Sequence, residues 1–259
     1  RMTPSITRRR LVPALVAVAL MASCGGNDPD PIFENACLQV SPSGQLYDPG
    51  APGVNGAPEI PTGFASRTVV TTRSFMVVAN NPLATKAGCD VLKKGGSAVD
   101  AAVAVQMVLN LVEPQSSGIG GGAFLLYWDA KARKLTSFDG RETAPQAATP
   151  ELFLKPDGTP MPFEEAVAGG RSVGVPGTLA LLELAHRLHG RLPWADLMQP
   201  AAELADKGFE VSPRLAGAIA DAGSKVKQFP ATSAYLLGSD GAPRQAGTIL
   251  RNPEFAQTL

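Results

Sequence analysis

Residues 97–128 read Ser97-Ala98-Val99-Asp100-Ala101-Ala102-Val103-Ala104-Val105-Gln106-Met107-Val108-Leu109-Asn110-Leu111-Val112-Glu113-Pro114-Gln115-Ser116-Ser117-Gly118-Ile119-Gly120-Gly121-Gly122-Ala123-Phe124-Leu125-Leu126-Tyr127-Trp128. Ser97 followed three residues later by Asp100 forms an approximate capping pair that opens a helix. From Ala98 to Val112 the chain is apolar on nearly every side, interrupted by Asp100, Gln106 and Asn110. That run is too short and too interrupted to span a bilayer, so it predicts a helix buried in a layered core. It stops before Pro114, because the residue preceding a proline resists helical geometry. The glycine run that follows leads into a strand, not a helix. It has no Gly-Lys-Ser/Thr, and Ala123 breaks the dinucleotide spacing, so nucleotide binding is not indicated. Glycines here fit a close approach of backbone to backbone or to a ligand.

Working upstream, Val69-Val70-Thr71-Thr72 and Phe75-Met76-Val77-Val78-Ala79 are β-rich runs and predict two short strands. Leu83, Ala84, Ala87, Val91 and Leu92 share one helical arc, and Lys93-Lys94-Gly95-Gly96 close it with basic residues and glycine. Cys89 sits at the edge of that arc and reads as a packed helix cysteine. Downstream, Phe124–Trp128 and Leu135–Phe138 predict a hairpin, and Asp139-Gly140-Arg141-Glu142-Thr143-Ala144-Pro145 follows it. Arg141, flanked by acids at a strand end, has two readings. One is a surface ion pair with Asp139 or Glu142. The other is a planar five-donor fork gripping a substrate carboxylate. The local chemistry does not choose between them.

The rest reads as helices and loops. Leu181, Leu184, Ala185 and Leu188 form an i, i+3, i+4, i+7 stripe closed by Gly190. Two short helices are expected at Ala195–Gln199 and Ala201–Lys207, and a weaker one at Pro213–Ala222. His186 and His189 stand three apart, but with no third ligand in reach they do not indicate a metal site.

Composition narrows the classes. The chain has 259 residues with 23 basic and 23 acidic side chains, which excludes the basic footprint of a nucleic-acid binder. Three cysteines are too few for a disulfide scaffold. The zero balance conceals segments. Residues 1–24 hold four Arg and no acid, residues 25–66 hold five acids and no base, and the remainder is nearly neutral. Arg8-Arg9-Arg10, an apolar stretch from Leu11 to Ala22, and Met21-Ala22-Ser23-Cys24-Gly25 resemble a bacterial lipoprotein signal, with Cys24 as the lipidated first mature residue. Thr7-Arg8-Arg9-Arg10-Leu11-Val12 also resembles a twin-arginine export motif. Seven Gly and seven Pro within residues 25–66 read as a flexible tether. For Cys37, inside it, an incidental thiol and pairing with Cys89 both stand open. The expected layout is a signal peptide over 1–23, a tether over 24–66 and a folded part over 67–259.

Several ordered blocks carry a family resemblance. Asn81-Pro82-Leu83-Ala84-Thr85, Gly95 to Ala104, Pro114 to Phe124, Asp139 to Pro145, Gly174-Val175-Pro176-Gly177-Thr178 and Gln199-Pro200-Ala201 resemble, in order, the large subunit of gamma-glutamyltransferase, also called glutathione hydrolase. The resemblance implies an α/β (α+β) N-terminal-nucleophile hydrolase with a four-layer αββα core, present here as an incomplete N-terminal portion. It implies a precursor that cuts itself, and a small-subunit N-terminal threonine that attacks the γ-glutamyl amide of glutathione. The acyl group then passes to water or to an amino-acid or peptide acceptor. It also implies that Arg141 holds the substrate α-carboxylate, that the small subunit is a partner, and that no metal or organic cofactor is used. The family's Thr-Thr-His context is not found: Thr71-Thr72 is followed by Arg73, and Thr258 only by Leu259. The 259 residues alone are therefore expected to be inactive and incompletely folded, with no catalytic residue among them. The expected location is the bacterial cell envelope, on the periplasmic or extracellular side, held by lipid at Cys24. Related readings are a cephalosporin or glutaryl acylase, a capsule transpeptidase, or a non-catalytic surface-binding lipoprotein.

Overall fold

The computed structural model describes residues 32–35 and 70–259. Cys24, Cys37, the leader and most of the tether lie outside the described residues. Strand β1 (Ile32–Asn35), within the stretch read as tether, pairs in parallel with β2 (Thr71–Phe75). Helices α1 (Pro82–Lys93) and α2 (Ala98–Val112) follow and pack on each other. An antiparallel hairpin, β3 (Ala123–Asp129) and β4 (Lys134–Gly140), comes next. The remainder comprises α3 (Phe163–Val167), α4 (Thr178–His189), α5 (Trp194–Lys207), β5 (Phe209–Glu210), α6 (Pro213–Lys227), α7 (Pro230–Leu236), β6 (Ile249–Leu250) and α8 (Pro253–Thr258).

Helix α2 is the centre of the core, as its all-round apolarity requires. Val103, Ala104, Met107 and Val108 have no exposed surface, and α1, α4 and α5 pack around it. Its start is a full capping box. Ser97 Oγ accepts from Asp100 N at 3.1 Å, and Asp100 Oδ2 accepts from Ser97 N at 2.7 Å. Gly88 on α1 permits the close helix pair: a Cβ there would lie 2.6 Å from Val105 Cγ2 and 2.9 Å from Val77 Cγ1. Cys89 is fully buried, as expected of a packed helix cysteine.

The hairpin alternates in strict period two. Ala123, Leu125 and Tyr127 turn inward, joined by Phe138, whereas Phe124, Leu126, Trp128 and Leu135 share the outer face and are exposed. The β3 part of that face is all apolar, while β4 adds Ser137 and Asp139 to it; an exposed apolar strand face of this kind is what a sheet packed on a second layer carries.

The structure revises four expectations. The two runs near residue 70 give one paired strand, Thr71–Phe75. Met76–Ala79 keep the alternation, with Val78 exposed and Val77 against Gly88, but pair with no strand among the described residues. The two helices around Pro200 are one, α5. Proline removes a single intrahelical N–H, while Leu197, Ala201 and Ala205 on both sides of it are fully buried on one face. The α4 stripe is rotated: Thr178, Leu181, Leu182 and Ala185 are buried, while Leu184 and Leu188 face out. Gly140 leaves room for Leu181, a residue common to both stripes: its Cδ1 lies 2.8 Å from where a Cβ would stand. Helix α6 runs past Ala222 only across a kink at Gly223, where φ is 48°.

Candidate functional site

The glycine loop and the end of the hairpin meet at one place. Strand β4 ends at Gly140, paired with Ala123 at the start of β3, so residues 118–122 run beside Arg141 and Glu142. Gly121 O accepts from Gly177 N and Thr178 N, both at 3.1 Å, and thereby caps the start of α4. Gly122 lies against Glu142: a Cβ there would come within 2.8 Å of the Glu142 Cδ and backbone N. Gly174 abuts the same residue, its Cβ position being 2.8 Å from Glu142 Cβ. A bridge between Thr143 and Val175, with Val175 N donating to Thr143 O at 2.9 Å, ties the two segments together. Gly122 and Gly174 are therefore set by close approach, and the approaching group is Glu142; at Gly120 a Cβ would meet no atom within 4 Å, and at Gly118 only Gly120 N at 4.0 Å, so close approach does not account for those two.

Arg141 N donates to Asp139 Oδ1 at 2.9 Å, which turns the chain out of the strand. Its guanidinium reaches Glu142 Oε2 at 3.0 Å, with 66% of the Arg141 side chain exposed. Of the two partners considered from sequence, Glu142 takes the ion pair and Asp139 takes the backbone. Glu142 Oε2 is buried and receives no well-directed hydrogen bond among the described residues, so the contact to Arg141 is chiefly electrostatic. One edge of the fork is braced and the rest is open, an arrangement that can receive a planar anion bidentately.

Two polar networks support the loop from below. Asn110 Oδ1 accepts from Gln106 Nε2 at 2.8 Å and from Ser117 Oγ at 3.0 Å. Glu113, 2% exposed, accepts from Asn81 Nδ2 at 3.3 Å and from Gln115 Nε2 at 2.6 Å, and pairs with Arg214 Nε at 3.4 Å. Sequence reading passed over Glu113 and Arg214; the one available signal was a charged residue between a buried helix and a proline. Asp100 does more than cap. Its Oδ2 also accepts from Arg191 N at 2.9 Å and Leu192 N at 3.2 Å, and its Oδ1 faces His186 Nε2 at 3.5 Å.

The two histidines diverge. His186 Nε2 lies 2.9 Å from Leu192 O, whereas His189 stacks on Tyr127 at 4.0 Å. No group of three potential metal ligands occurs among the described residues. No helix among the described residues is long and apolar enough to cross a membrane. A concavity of about 620 Å³ is lined by Glu151, Lys155, Met161 and Arg171 among others, and by no residue of the Arg141 cluster. The chemistry that converges is at Arg141, so the cluster, not the concavity, is the candidate site.

Comparison with known proteins bears directly on this cluster. Residues 84–259 match the family model described as gamma-glutamyltranspeptidase. The chain is 40% identical over 226 residues to a glutathione hydrolase proenzyme of Bacillus subtilis, covering 87% of this chain and 38% of that protein. It is 36% identical to a glutathione hydrolase proenzyme of Escherichia coli, covering 73% of this chain and 32% of that one. The chain thus spans well under half the length of these curated relatives. Among solved structures, the gamma-glutamyltranspeptidase of Helicobacter pylori is similar with a TM-score of 0.70 and 31% identity, over 74% of this chain and 54% of that chain. The Bacillus anthracis transpeptidase enzyme CapD matches with a TM-score of 0.58 and 34% identity, over 72% and 57%. The fold is accordingly the mixed α/β fold of the N-terminal-nucleophile hydrolases, of which this chain holds part. The chain belongs to the gamma-glutamyltranspeptidase family.

Proposed function

We propose that this chain is the N-terminal part of the large subunit of an enzyme that cleaves the γ-glutamyl amide of glutathione and related compounds. In this reading Arg141 grips the α-carboxylate of the γ-glutamyl group. A threonine outside these 259 residues supplies the nucleophile. Its hydroxyl attacks the amide carbonyl carbon, its own α-amine takes the proton, and the leaving amine departs protonated. Water or an amino-acid or peptide acceptor then attacks the acyl-enzyme ester and releases the threonine. The observation that carries the reading is the exposed Arg141 fork, braced on one edge by Glu142 against a glycine wall. A carboxylate docked there replaces solvent on the open edge without breaking the Glu142 pair.

The exposed apolar face of Phe124, Leu126, Trp128 and Leu135 fits the same reading. We assign it to contact with a second sheet contributed by the rest of the large subunit and by the small subunit. Cys24 is the proposed lipid attachment point, which places the enzyme at the bacterial envelope, on the periplasmic or extracellular side.

Arg141→Lys in the full-length enzyme tests the clamp. Lysine keeps the charge and loses the two-pronged geometry, so KM for γ-glutamyl-p-nitroanilide should rise about tenfold, with kcat less affected. An unchanged KM refutes the clamp. Comparing rates on glutathione with rates on glutaryl amides separates this function from that of a related acylase, for which the α-amino group of the substrate is dispensable.

A further inference from the structure

We infer that Arg214 and Glu113 are positioning residues for the carboxylate clamp, acting through Ser116 and the glycine loop; this rests on the function proposed above. Glu113 follows the last turn of α2, where its side chain is 3% exposed and its Oε2 is 3.4 Å from Arg214 Nε. A carboxylate so buried is stable as a charge only with a fixed cation and further hydrogen bonds. Asn81 and Gln115 supply hydrogen bonds, and Arg214 supplies the cation from α6, about a hundred residues away along the chain.

The guanidinium does not stop at Glu113. Its Nη2 donates to Ser116 Oγ at 3.1 Å, so one planar group holds both ends of the turn in which Ser116 N donates to Glu113 O at 3.0 Å. That turn feeds Ser117, itself held by Gln106 and Asn110, and then Gly118–Gly122. Gly122 in turn lies against the carboxylate and backbone N of Glu142, whose Oε2 braces Arg141. The contacts at either end of this path are direct and its middle, Ser117 to Gly122, is continuous backbone; the residues ahead of the loop are fixed by side chains rather than by a strand ladder, and Gly121 O is its tie to the start of α4. Loss of the Arg214 tie therefore lets the loop shift, moves Glu142 with it and misplaces the Arg141 fork. Neither Glu113 nor Arg214 touches the docked substrate in this scheme.

The test uses the full-length protein. Arg214→Met strands the Glu113 charge and carries a risk of misfolding, so Ser116→Ala is the primary variant, because it cuts only the link to the loop and leaves the buried pair intact. Ser116→Ala should accelerate hydrogen exchange of the 118–122 amides and raise KM for γ-glutamyl-p-nitroanilide about three- to fivefold, as expected for the loss of one solvent-exposed hydrogen bond, at the lower end of the usual range. The melting temperature and kcat should change little. Arg214→Lys, which keeps the charge for Glu113 and loses the second prong, should match Ser116→Ala. In an Arg141→Lys background the KM effect of Ser116→Ala should largely vanish, since the fork it positions is gone. Unchanged exchange in residues 118–122, or a KM effect that adds in full to that of Arg141→Lys, overturns the inference. A protein that turns over no γ-glutamyl amide while Ser116→Ala still loosens the loop counts against the proposed function and leaves the Arg214 tie to the loop standing.

Discussion

Asp100 offers the sharpest quantitative test of how this core is held. One buried carboxylate oxygen closes the start of α2 through Ser97 N and also holds the α4–α5 connection through Arg191 N and Leu192 N. Replacing Asp100 by Ala removes all three bonds. Loss of the capping interaction costs about 1 kcal/mol. The two connection amides donate to a charged group, which is worth about 1.5–3 kcal/mol each when fully desolvated. Arg191 is exposed, so water can take over part of that role, and about 1 kcal/mol for each amide is the better figure. The sum is about 3 kcal/mol, a little over a hundredfold in an opening equilibrium. Native-state hydrogen exchange on the full-length protein reads it locally, at the amides that Asp100 holds. The Arg191 and Leu192 amides should lose about a hundredfold in protection, together with the first turn of α2. Ser97→Ala is the control. It should cost about 1 kcal/mol at the α2 terminus and leave Arg191 and Leu192 untouched. Wild-type exchange at Arg191 and Leu192 in Asp100→Ala would refute the reasoning.

Three further outcomes are expected. Gly122→Ala places a methyl 2.8 Å from the Glu142 backbone N, too close to relax by side-chain motion alone; it should cost about 1–3 kcal/mol and raise KM, measured by urea melts and steady-state kinetics. A stable Gly122→Ala enzyme with unaltered KM would show that the glycine wall does not position Glu142. Burial pushes the Tyr235 phenol above its ordinary value, with Asn252 and Arg244 pulling the other way. The unfolded chain therefore ionises first, so this contribution is complete below about pH 10 and falls as pH rises through the folded value. Tyr235→Phe should flatten the urea midpoint between about pH 9 and pH 11, and an unchanged slope contradicts the assignment. Cys24→Ala should move the protein from the membrane pellet to the soluble fraction, and persistence in the pellet excludes Cys24 as the anchor.

Much of the fold was legible because its signals are local. Ser97 and Asp100 sit at capping distance, Pro114 ends α2, and the apolar run between them has only one sensible place in a layered protein. The hairpin was legible for the same reason, since alternation and a polar turn need no distant partner. What failed was decided by packing. Leu184 and Leu188 satisfied a helical stripe as well as Leu182 did, and the face that goes inward is selected by what α4 packs on, namely α2 and the β3–β4 hairpin. Pro200 read as a boundary because the local rule is about one lost N–H, whereas α5 buries Leu197, Ala201 and Ala205 completely and packs on α2 and α8.

The candidate site follows the same division, and that explains why Arg141 could be read two ways. A guanidinium beside two acids is ambiguous in sequence because an ion pair and a carboxylate clamp demand the same residue types. The geometry shows the two readings to be compatible: Glu142 takes one edge of the fork and the other edge stays open. Under the proposed function the ion pair belongs to the clamp, since a fork already held by a carboxylate loses less freedom when an anion docks. A braced arginine costs some electrostatic attraction, because Glu142 partly neutralises it. On the proposed clamp, the exposed edge would take a carboxylate and the Glu142 charge would favour an ammonium group nearby, the charge pattern of an α-amino acid end. Glu142→Gln therefore separates the two effects. It should strengthen the pull on a simple carboxylate such as glutarate while weakening discrimination in favour of the α-amino form. A uniform loss of both substrates would instead mean that Glu142 serves only to hold the loop.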